Sequence, residues 1–371
     1  MKKIPIAQPA FLGNEKEYVK DCMDTQWISS IGKYISQFEE TFARWCGTRY
    51  AVSCCNGTAA LHVALLALGV KPGDEVIVPT LTFVATVNAV TMCGAVPVFV
   101  DSESDSWNID PKGIERAITP KTKGIIPVHL YGYPADMEVI AAIAKSHKLF
   151  ILEDAAEAHG AEVNDRKVGA WGTAAIFSFF GNKILTTGEG GMVTTDDPAL
   201  ATELKLIRSQ GQDSNRRYWF PVVGYNYRMT NIAAAIGLAQ IEKVDAHLNS
   251  RRAIDHWYRK HLSGVEGIRF QTPPRGAQPI CWLFTVGFDN SWPQRDAIME
   301  SLGRAGIETR PVFYPIHTLP PYQKPGQLFP VAERLAASGM NLPTWHGLTE
   351  ADVIFICKTL KEIKGSLRIA A

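Results

Sequence analysis

The sequence predicts an α/β protein: a mostly parallel sheet in a large first unit, then a smaller α+β unit at the C-terminal end. Three observations lead there. Short β-rich runs alternate with helical segments at steps of about 21 to 28 residues, the rhythm of strand–helix–strand crossovers. The runs are apolar almost throughout, as strands covered on both faces are. After residue 170 the rhythm breaks, and a different set of elements follows. The units are expected to span residues 1–240 and 241–371.

Residues 15–23 and 35–45 carry helical spacing, with Ile35, Phe38, Phe42 and Trp45 on one face. Strands are expected at 51–54, 75–78, 96–100, 124–128 and 149–153, where apolar and β-branched residues cluster. The stretches 58–68 and 137–147 between them read as helices. Strands at 174–180 and 191–195 flank a Gly-rich stretch. One long helical pattern runs over 229–262. A strand at 281–288 and helices at 293–305 and 350–363 complete the second unit.

Composition excludes several classes. The 371 residues are 46% apolar and 20% charged, a globular balance rather than a disordered one. Thirty-eight basic residues face 37 acidic ones, so no field gathers nucleic acid. The longest apolar stretch, 59–70, is too short to span a bilayer and contains His62. The opening Met1-Lys2-Lys3-Ile4-Pro5 lacks the apolar run of a secretory leader. Seven cysteines, scattered and without a C-x-x-C pair, read as reduced thiols of a cytoplasmic protein.

Ligands of open α/β sheets bind beyond the carboxyl ends of the strands, so functional side chains are expected there. Asp154 follows the apolar run Phe150-Ile151-Leu152-Glu153. A carboxylate there needs a cationic or hydrogen-bonding partner, although it could simply cap a helix. Lys183 lies between an apolar strand and a Gly-rich turn. Desolvation there would lower its pKa and favour Schiff-base chemistry; a solvated loop lysine is the plainer reading. Asn56-Gly57-Thr58 is a strand-to-helix turn, suited to a phosphate or to nothing beyond a cap. His129, His159 and His317 lack metal-ligand spacing and read as structural or substrate-facing; no metal is expected. No G-x-G-x-x-G follows a strand.

A phosphate cradle, a carboxylate for a ring nitrogen and a Schiff-base lysine are together what pyridoxal 5'-phosphate (PLP) requires. Phe83 could stack on such a ring, or be an ordinary core aromatic.

These residues sit in motifs that resemble the DegT/StrS-type nucleotide-sugar aminotransferases, PLP enzymes of the aspartate-aminotransferase fold (fold type I). The likeness rests on Glu153-Asp154-Ala155-Ala156-Glu157-Ala158, Ser178-Phe179-Phe180-Gly181-Asn182-Lys183 and Gly188-Glu189-Gly190-Gly191. Gly224-Tyr225-Asn226-Tyr227-Arg228-Met229 and the run from Arg310 to His317 add to it. The resemblance implies catalytic roles for Lys183 as Schiff-base lysine and proton shuttle, for Asp154 at the pyridine nitrogen, and for Glu157 at the ring's phenolic oxygen. It implies that Ser178, Gly57 and Thr58 hold the phosphate. Asn226 would reach the cofactor of a neighbouring subunit, making a homodimer with shared sites. Trp27, Ser29, Arg310 and His317 match segments lining a substrate pocket. The implied substrates are L-glutamate and a nucleotide-linked ketosugar. Related sugar 3-dehydratases carry histidine in place of the lysine, so Lys183 favours transamination.

Overall fold

The computed structural model describes residues 3–324 and 326–367. The leader expectation rests partly on Met1 and Lys2, which lie outside them. Seven strands form the large sheet: β1 (Tyr50–Cys54), β2 (Glu75–Pro79), β3 (Val96–Val100), β4 (Thr122–Ile125), β5 (Phe150–Asp154), β8 (Ala174–Ser178) and β9 (Gly191–Thr195). Two-residue strands β6 (Glu162–Val163), β7 (Arg166–Lys167) and β11 (Ala277–Gln278) make a small separate sheet. The large sheet has the order β1-β9-β8-β5-β4-β2-β3. Its neighbours are parallel except at β9, which runs antiparallel to both β1 and β8.

Strand β4 ends earlier than its apolar run because Pro127 has no N–H to continue the ladder. Pro127 instead accepts the N–H of Asp154 (2.9 Å), and Val128 pairs with Asp154 as an isolated bridge.

Helices α1 (Glu15–Asp24) and α2 (Lys33–Cys46) precede the sheet. Helices α3 (Gly57–Ala67), α4 (Val84–Met92), α5 (Pro111–Ala117), α6 (Met137–His147) and α7 (Pro198–Arg208) pack on its strands. The helical pattern expected over 229–262 is two helices, α8 (Asn231–Glu242) and α9 (Val244–Leu262). The break falls at Lys243, whose backbone is non-helical (φ −112°, ψ 17°). Its cause is tertiary: α8 packs on α1 and α2, whereas α9 packs on α12 (Glu350–Leu367) of the second unit.

In the second unit, β10 (Ile268–Phe270), β12 (Phe284–Phe288), β13 (Arg310–Pro311) and β14 (Gly339–Leu342) form an antiparallel sheet ordered β10-β12-β14-β13. Helices α10 (Arg295–Arg304), α11 (Pro330–Ser338) and α12 accompany it. The strand expected from residue 281 begins only at Phe284. The preceding main chain is engaged elsewhere, Ile280 N–H donating to Gly132 O (3.0 Å) and Trp282 N–H to Tyr131 O (3.0 Å). We propose 1–240 and 241–371 as the two units. Short segments cross between them in both directions: Ile4 pairs with Ile307 and joins the second unit's apolar core, and β11 pairs with β6 of the first unit.

Candidate active site

A cavity of about 400 Å³ opens beyond the carboxyl ends of the large-sheet strands. Gly57, Thr58, Phe83, Asp154, Glu157, Ser178, Lys183 and Arg310 all line it, so the main candidates converge from distant parts of the chain.

Asp154 is the last residue of β5 and is nearly buried. Its Oδ2 accepts the Thr86 hydroxyl (2.7 Å) and its Oδ1 the Ala156 N–H (3.2 Å). Burial pushes its pKa up, against those two hydrogen bonds and the charge of Lys183. A buried carboxylate bonded only to neutral donors is short of a cation, and a pyridinium N–H meets that need.

Lys183 Nζ lies 3.5 Å from Glu157 Oε1. Burial lowers its pKa, partly offset by the charges of Glu157 and Asp154. The indole of Trp282 stands over the amine, with its ring centroid 3.7 Å from Nζ. Trp282 Nε1–H donates to Asn182 O (2.8 Å), so one side chain grips both the amine and the main chain beside it. The Oε2 of Glu157 accepts the Tyr131 N–H (2.8 Å). Burial raises the Glu157 pKa to about 7, with Lys183 and the Tyr131 N–H opposing.

The N-terminus of α3 closes the far wall. Asn56 caps this helix, its Oδ1 accepting the Ala59 N–H (2.8 Å), which leaves the first-turn N–H groups at Gly57 and Thr58 pointing out of the helix. Ser178, ending β8, sits against Gly57 so closely that a Cβ there would lie 3.0 Å from Ser178 Cβ. This narrow, donor-rich corner fits a phosphate.

Four other candidates lie outside the cavity lining. Asn226 is exposed and accepts from the Arg228 guanidinium (2.9 Å). Trp27, 55% exposed, borders a separate recess with Lys33 and Asn231. Ser29 is exposed, and its carbonyl accepts the Asn231 N–H (2.6 Å). His317 is buried, bonded to Thr80 Oγ1 (2.7 Å) and Glu333 Oε1 (3.1 Å). Arg310 lines the cavity but keeps a half-exposed side chain, 3.8 Å from Glu308. Phe83 is exposed at the opening, 5.8 Å from the ring of Phe313.

The structure adds residues that the sequence reading missed: Thr86, Tyr131, Trp282 and Phe313. Thr86 and Trp282 carry no local signal, one inside a helix and one inside an apolar run. Tyr131 comes shortly after the run 124–128 that reads as a strand, and that position was the one available hint. His129 is explained structurally: its Nδ1 accepts the Ala135 N–H, so its Nε2 donates to Glu153 (3.1 Å), and both side chains are fully buried. His159 is buried beside Phe177 and Phe179, and burial drops its pKa to about 3, keeping it neutral.

Comparison with known proteins gives this arrangement a family. The family model described as the DegT/DnrJ/EryC1/StrS aminotransferase family matches residues 11–361. The chain belongs to that family and is an aminotransferase by membership. It is 50% identical to a GDP-perosamine synthase of Caulobacter vibrioides over 98% of this chain and 99% of that one. It is 47% identical to a GDP-perosamine synthase of Escherichia coli O157:H7, over 98% and 99%. Among solved structures, the PMP form of Spr1654 from Streptococcus pneumoniae, a putative sugar aminotransferase, superposes with a TM-score of 0.94. It is 27% identical over 100% of this chain and 99% of its own.

Proposed function

We propose that this protein is a PLP-dependent aminotransferase that moves an amino group from L-glutamate to C4 of GDP-4-keto-6-deoxymannose. The product would be GDP-perosamine, for O-antigen or other surface-polysaccharide synthesis. The observation that carries the reaction class is Lys183, a largely covered amine (11% exposed) held between a carboxylate and an indole at the end of an open α/β sheet. The substrate follows the two GDP-perosamine synthases that match nearly end to end.

When bound, PLP supplies an electron-accepting ring that carries the amino group between substrates. The chain's own residues do the rest. Asp154 would hold the ring nitrogen's proton by charge. The N–H groups at Gly57 and Thr58, with the Ser178 hydroxyl, would anchor the phosphate and Phe83 would face the ring. Lys183 would move protons at the reacting carbon, because its lowered pKa lets the amine exist without its proton. Glu157 stands beside that amine and the expected phenolic oxygen, and Arg310 at the rim suits a carboxylate or phosphate. Trp27, Ser29 and His317 remain proposed substrate-side residues, served by a neighbouring chain or by loop movement. Asn226, exposed and away from its own cavity, supports a homodimer in which each chain completes the other's phosphate site. Free cysteines, six of them buried, support a cytoplasmic setting. Among the described residues no helix is long and apolar enough to cross a membrane.

The test is to incubate the protein with L-glutamate and a panel of nucleotide-4-ketosugars and to weigh the products. A mass gain fitting ketone-to-amine exchange on the GDP sugar is expected. Amination of another sugar alone would replace the substrate, and loss of water without nitrogen gain would point to the dehydratase reading.

A further inference from the structure

Tyr131 occupies an unusual position. It is fully buried, yet its backbone is left-handed (φ 57°, ψ 16°), a conformation that a bulky residue adopts only when its surroundings impose it. The next residue, Gly132, is also left-handed (φ 96°), and a Cβ there would strike Ile280 O. This double turn sends the three polar groups of Tyr131 to three different elements. Its N–H donates to Glu157 Oε2 (2.8 Å). Its carbonyl accepts the N–H of Trp282 (3.0 Å), the residue whose ring covers Lys183. Its hydroxyl oxygen accepts the N–H of Phe313 (3.1 Å), in the segment that begins with Arg310. The Tyr131 ring stacks on Phe313 (5.2 Å) and on Trp282 (6.2 Å).

We propose that Tyr131 is a positioning residue: it sets the register of the Arg310–Phe313 segment and of Trp282 against the Glu157–Lys183 pair. Glu157 and Lys183 belong to the first unit, Trp282 and Phe313 to the second. Tyr131 is therefore the point where the substrate-side wall is indexed to the proton-transfer wall. In an ordinary strand or helix conformation the N–H and C=O of one residue would join regular neighbours; the left-handed turn frees both for this task. The strain is held by the close approach of Gly132 to Ile280 and by the buried ring stack.

The inference rests on the site proposed above, and its test separates the two. Tyr131→Phe keeps the ring, the stack and both backbone bonds, and removes the hydroxyl that anchors Phe313 and also meets the Asn341 side chain, on the strand paired with Arg310. In the holoenzyme the Michaelis constant of the substrate that Arg310 contacts should rise about three- to tenfold, the range for one lost hydrogen bond, with little change in kcat. The visible absorption and its pH titration should stay as in wild type, because the Glu157 bond to the main chain is untouched. The Phe313 amide should lose hydrogen-exchange protection while the Trp282 amide keeps it. Combined with Arg310→Lys, the Tyr131→Phe effect on that Michaelis constant should be non-additive, since both act through one segment.

Unchanged Michaelis constants, or strictly additive ones, would overturn the proposal and leave Tyr131 a packing residue. Should the variant not fold, exchange of the Phe313 amide in wild type decides the matter: core-like protection upholds the anchor, and open-loop exchange refutes it. A wild-type protein without PLP absorption or glutamate-dependent spectral change would instead refute the site itself.

Discussion

Glu157 and Lys183 lie 3.5 Å apart, and burial drives both toward their neutral forms, the carboxyl upward and the amine downward. They titrate as a pair rather than singly. For Glu157 the folded pKa of about 7 lies above its ordinary 4.5. Its contribution to stability is therefore present in full below pH 4.5 and is lost as pH rises through about 7, by at most about 3 kcal/mol. In cofactor-free protein, Glu157→Gln should remove this slope, so the melting temperature of wild type should fall relative to the variant between pH 5 and pH 8. Parallel curves would show that Glu157 is not held up by burial. Arg310 makes a separate case. Arg310→Lys keeps the charge but loses the planar fork, and should raise one Michaelis constant about tenfold while leaving the cofactor spectrum alone. Asp154 after the apolar run 150–153 and Lys183 between an apolar strand and a Gly-rich turn stood out in the sequence only once the family motifs joined them, since alone they read as a helix cap and a loop lysine; the structure brings both to one cavity. Trp282 was not, because an aromatic inside Cys281-Trp282-Leu283-Phe284 looks like core; only the tertiary fold turns its face to an amine.

At the scale of single elements, α3 does the most with the least. Asn56 caps it, Gly57 lets Ser178 approach, and Gly191 at the start of β9 leaves no room for a Cβ beside Asn56 O. Asn56→Ala should cost about 1 kcal/mol of stability, read by denaturant unfolding, and should also weaken PLP retention. Gly57→Ala should weaken PLP retention more than it lowers stability, since its Cβ would crowd the phosphate corner rather than the core. Equal losses of both in dialysis and unfolding experiments would mean that the corner is only a helix start. Strands β3 and β9 lie where the sequence places them, because their apolar runs end at clear breaks. The division of α8 from α9 left no such mark: no Pro or Gly stands near Lys243, and only the two different packing partners separate the helices. The two-residue strands β6, β7, β11 and β13 are too short for any periodicity to show.

For the whole molecule, the proposed dimer yields a counting experiment. Lys183→Ala and a variant at Asn226 that cannot hold phosphate should each be inactive. If Asn226 serves the neighbouring site, a mixed dimer collects both lesions in one site and leaves the other intact. Random subunit exchange should then restore about a quarter of wild-type activity, since half the dimers are mixed and each has one good site. No recovery after proven exchange would place Asn226 at its own chain's site or at none. The α/β class could be anticipated from the sequence, since it follows from local patterning; the proposed two-unit plan rests on the same patterning. The crossing of the leading segment to the second unit could not, because the pairing of Ile4 with Ile307 is wholly non-local.

That crossing also imposes a timetable on biosynthesis. Residue 4 emerges from the ribosome long before residue 307 exists, so the edge it completes is not there to receive it. The Ile4 N–H bond to Gly306 O and the Glu308 N–H bond to Ile4 O must wait for the last third of the chain. Domains made first generally fold first. Here the large sheet can condense early, but the segment around Ile4 stays unclaimed until residues 306–308 follow. A segment made early is thus placed only after residues 306–308 have been made.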